Sequence, residues 1–375
     1  MPETTNPRSL THPREKKAQS MTSKIPPTST TPTELRIATR GSPLALWQAR
    51  HVAAKLDATG INTTLHVVKT TGDIVQDRFL HEIGGKGLFV KELEEAMLAG
   101  RADIAVHSLK DMPVNLPPAF RMGAIMKRDL AHDVLIVRAI SAASAGLSGS
   151  DKQWLSAADL ASAGPLTVGT SSLRRSSLFA RHAPKLRCLP VRGNVETRLR
   201  KLQEGQFDAI VLAAASLERL GDTLWEQLPR SGFVVCQLDI QDFIPCAGQG
   251  ALAIEIPNNG DDCAEILRPL HCSETAFCVE VERSVLRSLG GDCTMPFGAL
   301  CRIEVAADGQ RQWVATATIL NNDGEHATTR VNVAATEGLA PGTIASRILS
   351  GLSEQGAADI LVRLRLPVPD VMRLN

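Results

Sequence analysis

One run of residues constrains this chain more than any other: Ile104-Ala-Val-His-Ser-Leu-Lys-Asp-Met-Pro113. It opens as a strand of buried type and ends on opposite charges side by side, just before a proline. A near-continuous apolar run closing in a polar turn belongs to an α/β sheet covered on both faces. In such sheets ligands sit beyond the carboxyl ends of the strands, so Lys110 and Asp111 face a cleft. Taken alone, a Lys-Asp pair is a solvated surface turn of little energetic weight. Other strand ends in this chain also carry polar or basic groups. A single acid among many bases describes a site for a polyanion that develops positive charge during reaction.

At 375 residues the chain exceeds one ordinary core, and two or three domains are expected. Lys and Arg number 41 against 40 Asp and Glu, so no global basic field argues for nucleic acid. Aromatics make up 3% with no Tyr, which argues against base-stacking platforms. The eight cysteines (188, 236, 246, 263, 272, 278, 293 and 301) contain no Cys-x-x-Cys, a pattern of reduced thiols rather than a disulfide framework or zinc site. No run of eighteen apolar residues predicts a membrane span. Residues 1–34, rich in Thr, Ser, Pro and Lys, read as a disordered tail rather than a secretory signal. Glu3, Glu15 and the prolines speak against a transit peptide.

In chain order, Leu35 to Thr39 is a strand, and Ser42 and Pro43 are the N-cap and first residue of a helix with Leu44, Trp47, Val52 and Leu56 as its stripe. Leu65 to Lys69 is the second strand. Gly84-Gly-Lys-Gly87 is a loop before a helix bearing Phe89, Leu93, Ala96 and Met97; it lacks the Gly-Lys-Ser/Thr of a phosphate-binding loop. The strand ending at Asp111 completes a β-α-β-α-β unit. The pattern restarts near Ala131. Leu166 to Val168 leads through Gly169-Thr-Ser-Ser172 into a helix with Arg174 and Arg175, an anion site by geometry. Asn194 caps a helix with Arg198 after Arg192-Gly193, and Arg219 ends the next helix. Guanidinium binds carboxylates bidentately, so arginines gathered at strand ends imply a ligand with several carboxylates or phosphates. The segment 244–250 crosses into a strand at 251–256 that is expected to rejoin the first sheet. A third unit starts near His271, with a helix from Ser273 to Leu289, the loop Gly290 to Pro296, strands at 311–320 and 330–333, and a closing helix from Thr343 to Leu361.

These segments carry a family resemblance. Residues 35–49, 84–93, 101–113, 168–175, 192–199, 247–251 and 291–293 resemble the hydroxymethylbilane synthase (porphobilinogen deaminase) family of tetrapyrrole and heme biosynthesis, in the family's order. The resemblance implies two type II periplasmic-binding-protein-like lobes joined by a hinge and a small C-terminal α+β domain. The expected division is 35–130 with 251–268, then 131–245, then 271–375. It implies a transferase that condenses four porphobilinogens head to tail, releasing ammonia, into linear hydroxymethylbilane. It also implies a dipyrromethane cofactor attached by a thioether to Cys293, a cytoplasmic monomer, and no metal, nucleic-acid or membrane partner. By the same resemblance Asp111 stabilises the cationic azafulvene left by ammonia loss. Ser108, Lys110, Asp111, Thr170, Ser171, Arg174, Arg175, Arg192 and Gly193 would hold the cofactor. Arg40, Ser42, Lys86, Phe89, Arg192, Arg198, Arg219 and Gln249 would hold substrate. One departure is Asp292 beside Cys293, where many relatives have Gly-Gly-Cys; a neighbouring carboxylate disfavours thiolate.

Two other classes compete. A two-lobed receptor closing over a carboxylate ligand shares the lobes, since fold does not fix function; it has no use for a third domain presenting a cysteine. A phosphate-ester transferase would use the anion sites, but no metal-ligand cluster or phosphate-binding loop supports it.

Overall fold

The computed structural model describes residues 34–70, 90–147, 154–291, 295–336 and 338–372. Three sheets organise them. The first is built from β1 (Glu34–Arg40), α1 (Pro43–Asp57), β2 (Asn62–Val68), α2 (Lys91–Leu98), β3 (Ile104–Ser108) and β4 (Phe120–Ile125). The chain then makes the second sheet: β5 (Asp133–Arg138), α3 (Ala139–Ser144), β6 (Trp154–Leu155), α4 (Ala157–Ser162), β7 (Leu166–Gly169), α5 (Leu173–His182), β8 (Leu186–Leu189), α6 (Val195–Gln203), β9 (Ala209–Ala213), α7 (Ala214–Arg219), α8 (Asp222–Arg230) and β10 (Phe233–Leu238). It crosses back as β11 (Leu252–Pro257), which pairs antiparallel with β3 and β4. After α9 (Asp261–Leu267) comes α10 (Ser273–Ser288), packed with α11 (Pro341–Glu354) and α12 (Ala357–Arg363) on the antiparallel strands β12 (Phe297–Val305), β13 (Arg311–Leu320) and β14 (His326–Ala334).

The first sheet runs β2-β1-β3-β11-β4 and the second β6-β10-β5-β9-β7-β8. In each, the sequence enters beside the sheet edge, reverses once, and receives an antiparallel strand between its third strand and its far edge. One order used twice is the pair of type II lobes that the family resemblance implies, with the α+β unit following. Strands β3, β5 and β9 are buried nearly end to end, whereas the edge strand β2 is mostly half-exposed.

Local chemistry sets the boundaries. Ser42 caps α1, its hydroxyl accepting from the Ala45 N–H at 3.3 Å, with Pro43 in the first turn. The buried face of α1 is Gln48, Ala49, Val52 and Leu56; Leu44 and Trp47 are only half-buried, and Trp47 stacks on His51 instead. Helical spacing alone placed those two on the core stripe, but their end of the helix meets a pocket rather than a sheet. The single closing helix is in fact two, because Gly356 adopts φ +81° between α11 and α12.

Two segments, 127–131 and 245–250, cross between the lobes and touch: the Asp129 N–H donates to the Gly250 carbonyl at 3.1 Å. Gly250 takes φ +88°, and a side chain there would press on the Asp129 and Leu130 carbonyls. The Glu282 carboxylate of α10 holds both crossings. It accepts from both terminal nitrogens of Arg128 (2.8 and 2.9 Å), from the Gly248 N–H (2.7 Å) and from the Cys301 N–H of β12 (2.8 Å). No helix among the described residues is long and apolar enough to cross a membrane.

Candidate active site

The ends of β1 and β3 and the start of α1 enclose a cavity of about 60 Å³ lined by Arg40, Ser42, Gln48, His107, Ser108 and Asp111, among others. Gln48 is 3% exposed and donates to the Ser108 hydroxyl at 2.8 Å, fixing the last residue of β3. The chain then turns through Leu109–Asp111. Leu109 is fully buried, its N–H donating to the Ala251 carbonyl at 3.0 Å, and it packs under Gly248, which has no room for a side chain. With that anchor below, Lys110 is half-buried and Asp111 is exposed at the cleft.

In the second lobe, Ser172 caps α5, and Arg174 and Arg175 follow it into the interior. Neither guanidinium is open. Arg174 donates to Asp133 at 2.8 Å and to the Ile244 carbonyl at 2.9 Å; Arg175 donates to Asp133 at 2.7 Å and to the Val211 carbonyl at 3.1 Å. Gln249 adds a third bond to Asp133 at 2.9 Å and one to the Ala131 carbonyl. Burial alone would raise the Asp133 carboxyl, but the two guanidiniums hold it far below the usual carboxylate range. Arg219 is likewise engaged, with Asp129 at 2.9 Å and the Gly250 carbonyl at 2.6 Å. The expectation of one acid among bases is therefore corrected. Asp133 and Asp129 lie under the arginines, because buried guanidiniums need counter-charges.

Arg192 and Arg198 have no carboxylate ion pair among the described residues. The Nη2 of Arg192 is buried with no hydrogen-bond partner among the described residues. Arg198 gives its Nε to the Gly193 carbonyl at 2.9 Å. Burial, then the charges of Arg175 and Arg192, push Arg198 down to about 10, and Asp111 opposes that shift. Gly193 has φ +110°, and a Cβ there would collide with Thr197, so only glycine turns its carbonyl this way. Lys110 is lowered by burial and by Arg175, against Cys246, Asp111 and Asp133. The first lobe's Lys110-Asp111 turn and the second lobe's Arg175 and Arg198 thus share one electrostatic neighbourhood.

The hydroxyls do different work. Ser171 donates to the Val191 carbonyl at 2.8 Å and accepts from the Val191 N–H, joining the loops after β7 and β8. Thr170 is buried and accepts from the Ser172 N–H at 3.2 Å. Lys86, Phe89, Asp292 and Cys293 lie outside the described residues. Sequence reasoning missed Gln48, Asp133 and Glu282. Asp133 alone left a trace, as a charge opening the apolar run Val134–Val137.

Residues 35–265 match the family described as porphobilinogen deaminase, dipyromethane cofactor binding domain, and residues 276–344 its C-terminal domain. A porphobilinogen deaminase of Paraburkholderia phytofirmans is 41% identical over 340 residues, covering 89% of this chain and 90% of the relative. One of Syntrophobacter fumaroxidans is 46% identical over 266 residues, covering 70% of this chain and 78% of the relative. With two family domains matched in order and these identities sustained over most of its length, the chain belongs to the porphobilinogen deaminase (hydroxymethylbilane synthase) family.

Proposed function

We propose that Asp111 is the catalytic carboxylate of this transferase, working in a cleft whose open cations grip the acetate and propionate arms of the pyrroles. The family reaction condenses four porphobilinogens with loss of ammonia into hydroxymethylbilane. As each amine leaves, positive charge develops on the pyrrole ring. A fixed carboxylate beside it lowers that barrier and accepts from the ring N–H. The observation that carries this reading is the Lys110-Asp111 turn, pinned by buried Leu109 and exposed opposite Arg198.

The donor set fits the family's dipyrromethane cofactor, whose two rings carry four carboxylates. Arg192 has a buried nitrogen without a partner among the described residues, and Arg198 is a cation crowded by cations. Both conditions are relieved by an anion. When bound, the cofactor supplies the pyrrole carbon on which the product is built. Arg192, Arg198 and Lys110 are assigned its carboxylates, with Arg40, Ser42 and Ser108 facing the substrate side of the pocket. Arg174, Arg175, Arg219 and Gln249 support the site through Asp133 and Asp129, and Thr170 and Ser171 shape its loops. Cys293 is assigned the thioether, and Lys86 and Phe89 the cover of the cleft. The division into 35–130 with 251–268, 131–245 and 271–375 is supported by the membership of the three sheets. We place the enzyme in the cytoplasm as a monomer acting on porphobilinogen alone, on family grounds.

Intact mass tests the assignment. The wild-type chain should exceed its bare mass by one dipyrromethane and gain discrete increments with porphobilinogen, and Cys293→Ser should show neither. A bare-chain mass in active enzyme would refute it.

A further inference from the structure

On the face of the first sheet covered by α2, three titratable groups have no role in the reading above. Ala253 pairs with His107 and Glu255 with Ala105, so His107 and Glu255 are diagonal neighbours on one face. The imidazole Nε2 stands 3.0 Å from Oε2 of Glu255, with side-chain exposures of 6% and 0%. The other Glu255 oxygen, Oε1, is buried without a hydrogen-bond partner among the described residues. A buried acceptor in that state is costly unless a donor reaches it. The donor at hand is Glu94 on α2, half-buried against Glu255. Burial first, then the Glu255 charge, push the Glu94 carboxyl up to about 7.

We propose that His107, Glu255 and Glu94 form the path by which the proton released at each condensation leaves the pocket. The proposal rests on the condensing reaction above. In that reaction the incoming substrate carries its amine as ammonium; its C–N bond breaks and the electron pair leaves on nitrogen as neutral ammonia. The attacking pyrrole α-carbon forms the new C–C bond. Its C–H bond then breaks, the pair returning to the ring, and one proton must depart. His107 lines the same pocket as Asp111. It takes that proton on Nδ1 and passes its Nε2 proton to Glu255; Glu255 passes a proton to Glu94, the end that water reaches. No oxidant, reductant or further reactant is involved.

Glu95 on the same helix pushes the same way, and Lys91 and Glu92 complete the charges of that helix. On β1, Arg40 lines the pocket at the strand's end. His66 on β2 shares the face of Val68, which packs with Leu93 and Met97. On β4, Arg121 is paired with Asp261.

The test uses Glu94→Gln, Glu255→Gln and, as a control on the same helix, Glu95→Gln. The first readout needs no cofactor. A carboxyl raised from its ordinary 4.5 to about 7 binds its proton more tightly in the folded state, so stability falls as pH rises through that window. Thermal unfolding of the cofactor-free chain should show that fall, and Glu94→Gln should lose it. In Glu255→Gln the Glu94 midpoint should drop toward 4.5. The second readout is single-turnover condensation by holoenzyme. The rate should rise through about pH 7 as Glu94 becomes able to accept, with a solvent deuterium isotope effect. Glu94→Gln should be slower by about 10²-fold and lose that limb at unchanged KM, and Glu95→Gln should keep both rate and limb. A Glu94→Gln enzyme with the wild-type limb and rate, or a Glu94 midpoint unmoved in Glu255→Gln, overturns the path while leaving the role of Asp111 intact. Full turnover by Asp111→Asn overturns the parent reading instead.

Discussion

The cleft holds two kinds of arginine. Arg174, Arg175 and Arg219 are buried on Asp133 and Asp129, with distances of 2.7 to 2.9 Å. Arg192 and Arg198 stand a few residues beyond a strand end of the same lobe and have no carboxylate partner among the described ion pairs. The sequence places all five in segments that follow strands, with Arg174, Arg175 and Arg198 in early turns of helices, Arg192 in the loop before one and Arg219 at the end of another. Only the counter-ions separate them. A neutralised guanidinium serves as a structural bracket, whereas one left short of negative charge is the candidate group for an anion.

The contrast can be broken at four places. Asp133→Asn should cost about 3–5 kcal/mol, because two buried cations lose their charge partner. Asp133 titrates below its ordinary 3.8 when folded, so its contribution is complete above that pH and lost progressively as pH falls beneath it. Chemical denaturation at neutral and acidic pH should show the gap between wild type and variant closing toward acid. Asp111→Asn should leave the unfolding curve and the covalent mass unchanged but lower turnover by about 10²–10³-fold, read as bilane formed per enzyme. Arg198→Ala should weaken carboxylate binding by about 1.5–3 kcal/mol without loss of stability. A calorimetric titration with a pyrrole carrying both acids measures the first and a melt the second; a destabilised Arg198→Ala would erase the distinction between the two sets. Arg200, on the outer face of the same helix, pairs with Glu204 in an exposed i,i+4 bridge. Arg200→Ala should cost about 0.2–0.5 kcal/mol and leave binding alone, setting the floor for these comparisons.

Much of the frame is legible locally. Ser42 and Asn194 cap the helices their sequence promises, each accepting from the N–H three residues on. What escapes is whatever depends on distant partners. Asp133 meets Arg174 and Arg175 across 41 and 42 positions, and no window of periodicity contains both ends. Strand β12 escapes for a related reason. Gly298 interrupts its pattern, yet a side chain there would meet the Ile244 carbonyl at 2.6 Å, so the glycine serves the crossing and not the strand. At Gly356 the apolar rhythm continues on both sides of the break, which hides the boundary between α11 and α12.

Glu282 has a mechanical consequence. Each crossing between the lobes gives it at least one bond, and β12 gives another. Pulling Arg128 away from Gly248 would sever charge-assisted bonds worth about 1.5–3 kcal/mol apiece. The inexpensive rotations are those whose axis passes close to that carboxylate, so any swing of one lobe against the other pivots on a fulcrum supplied by the C-terminal unit.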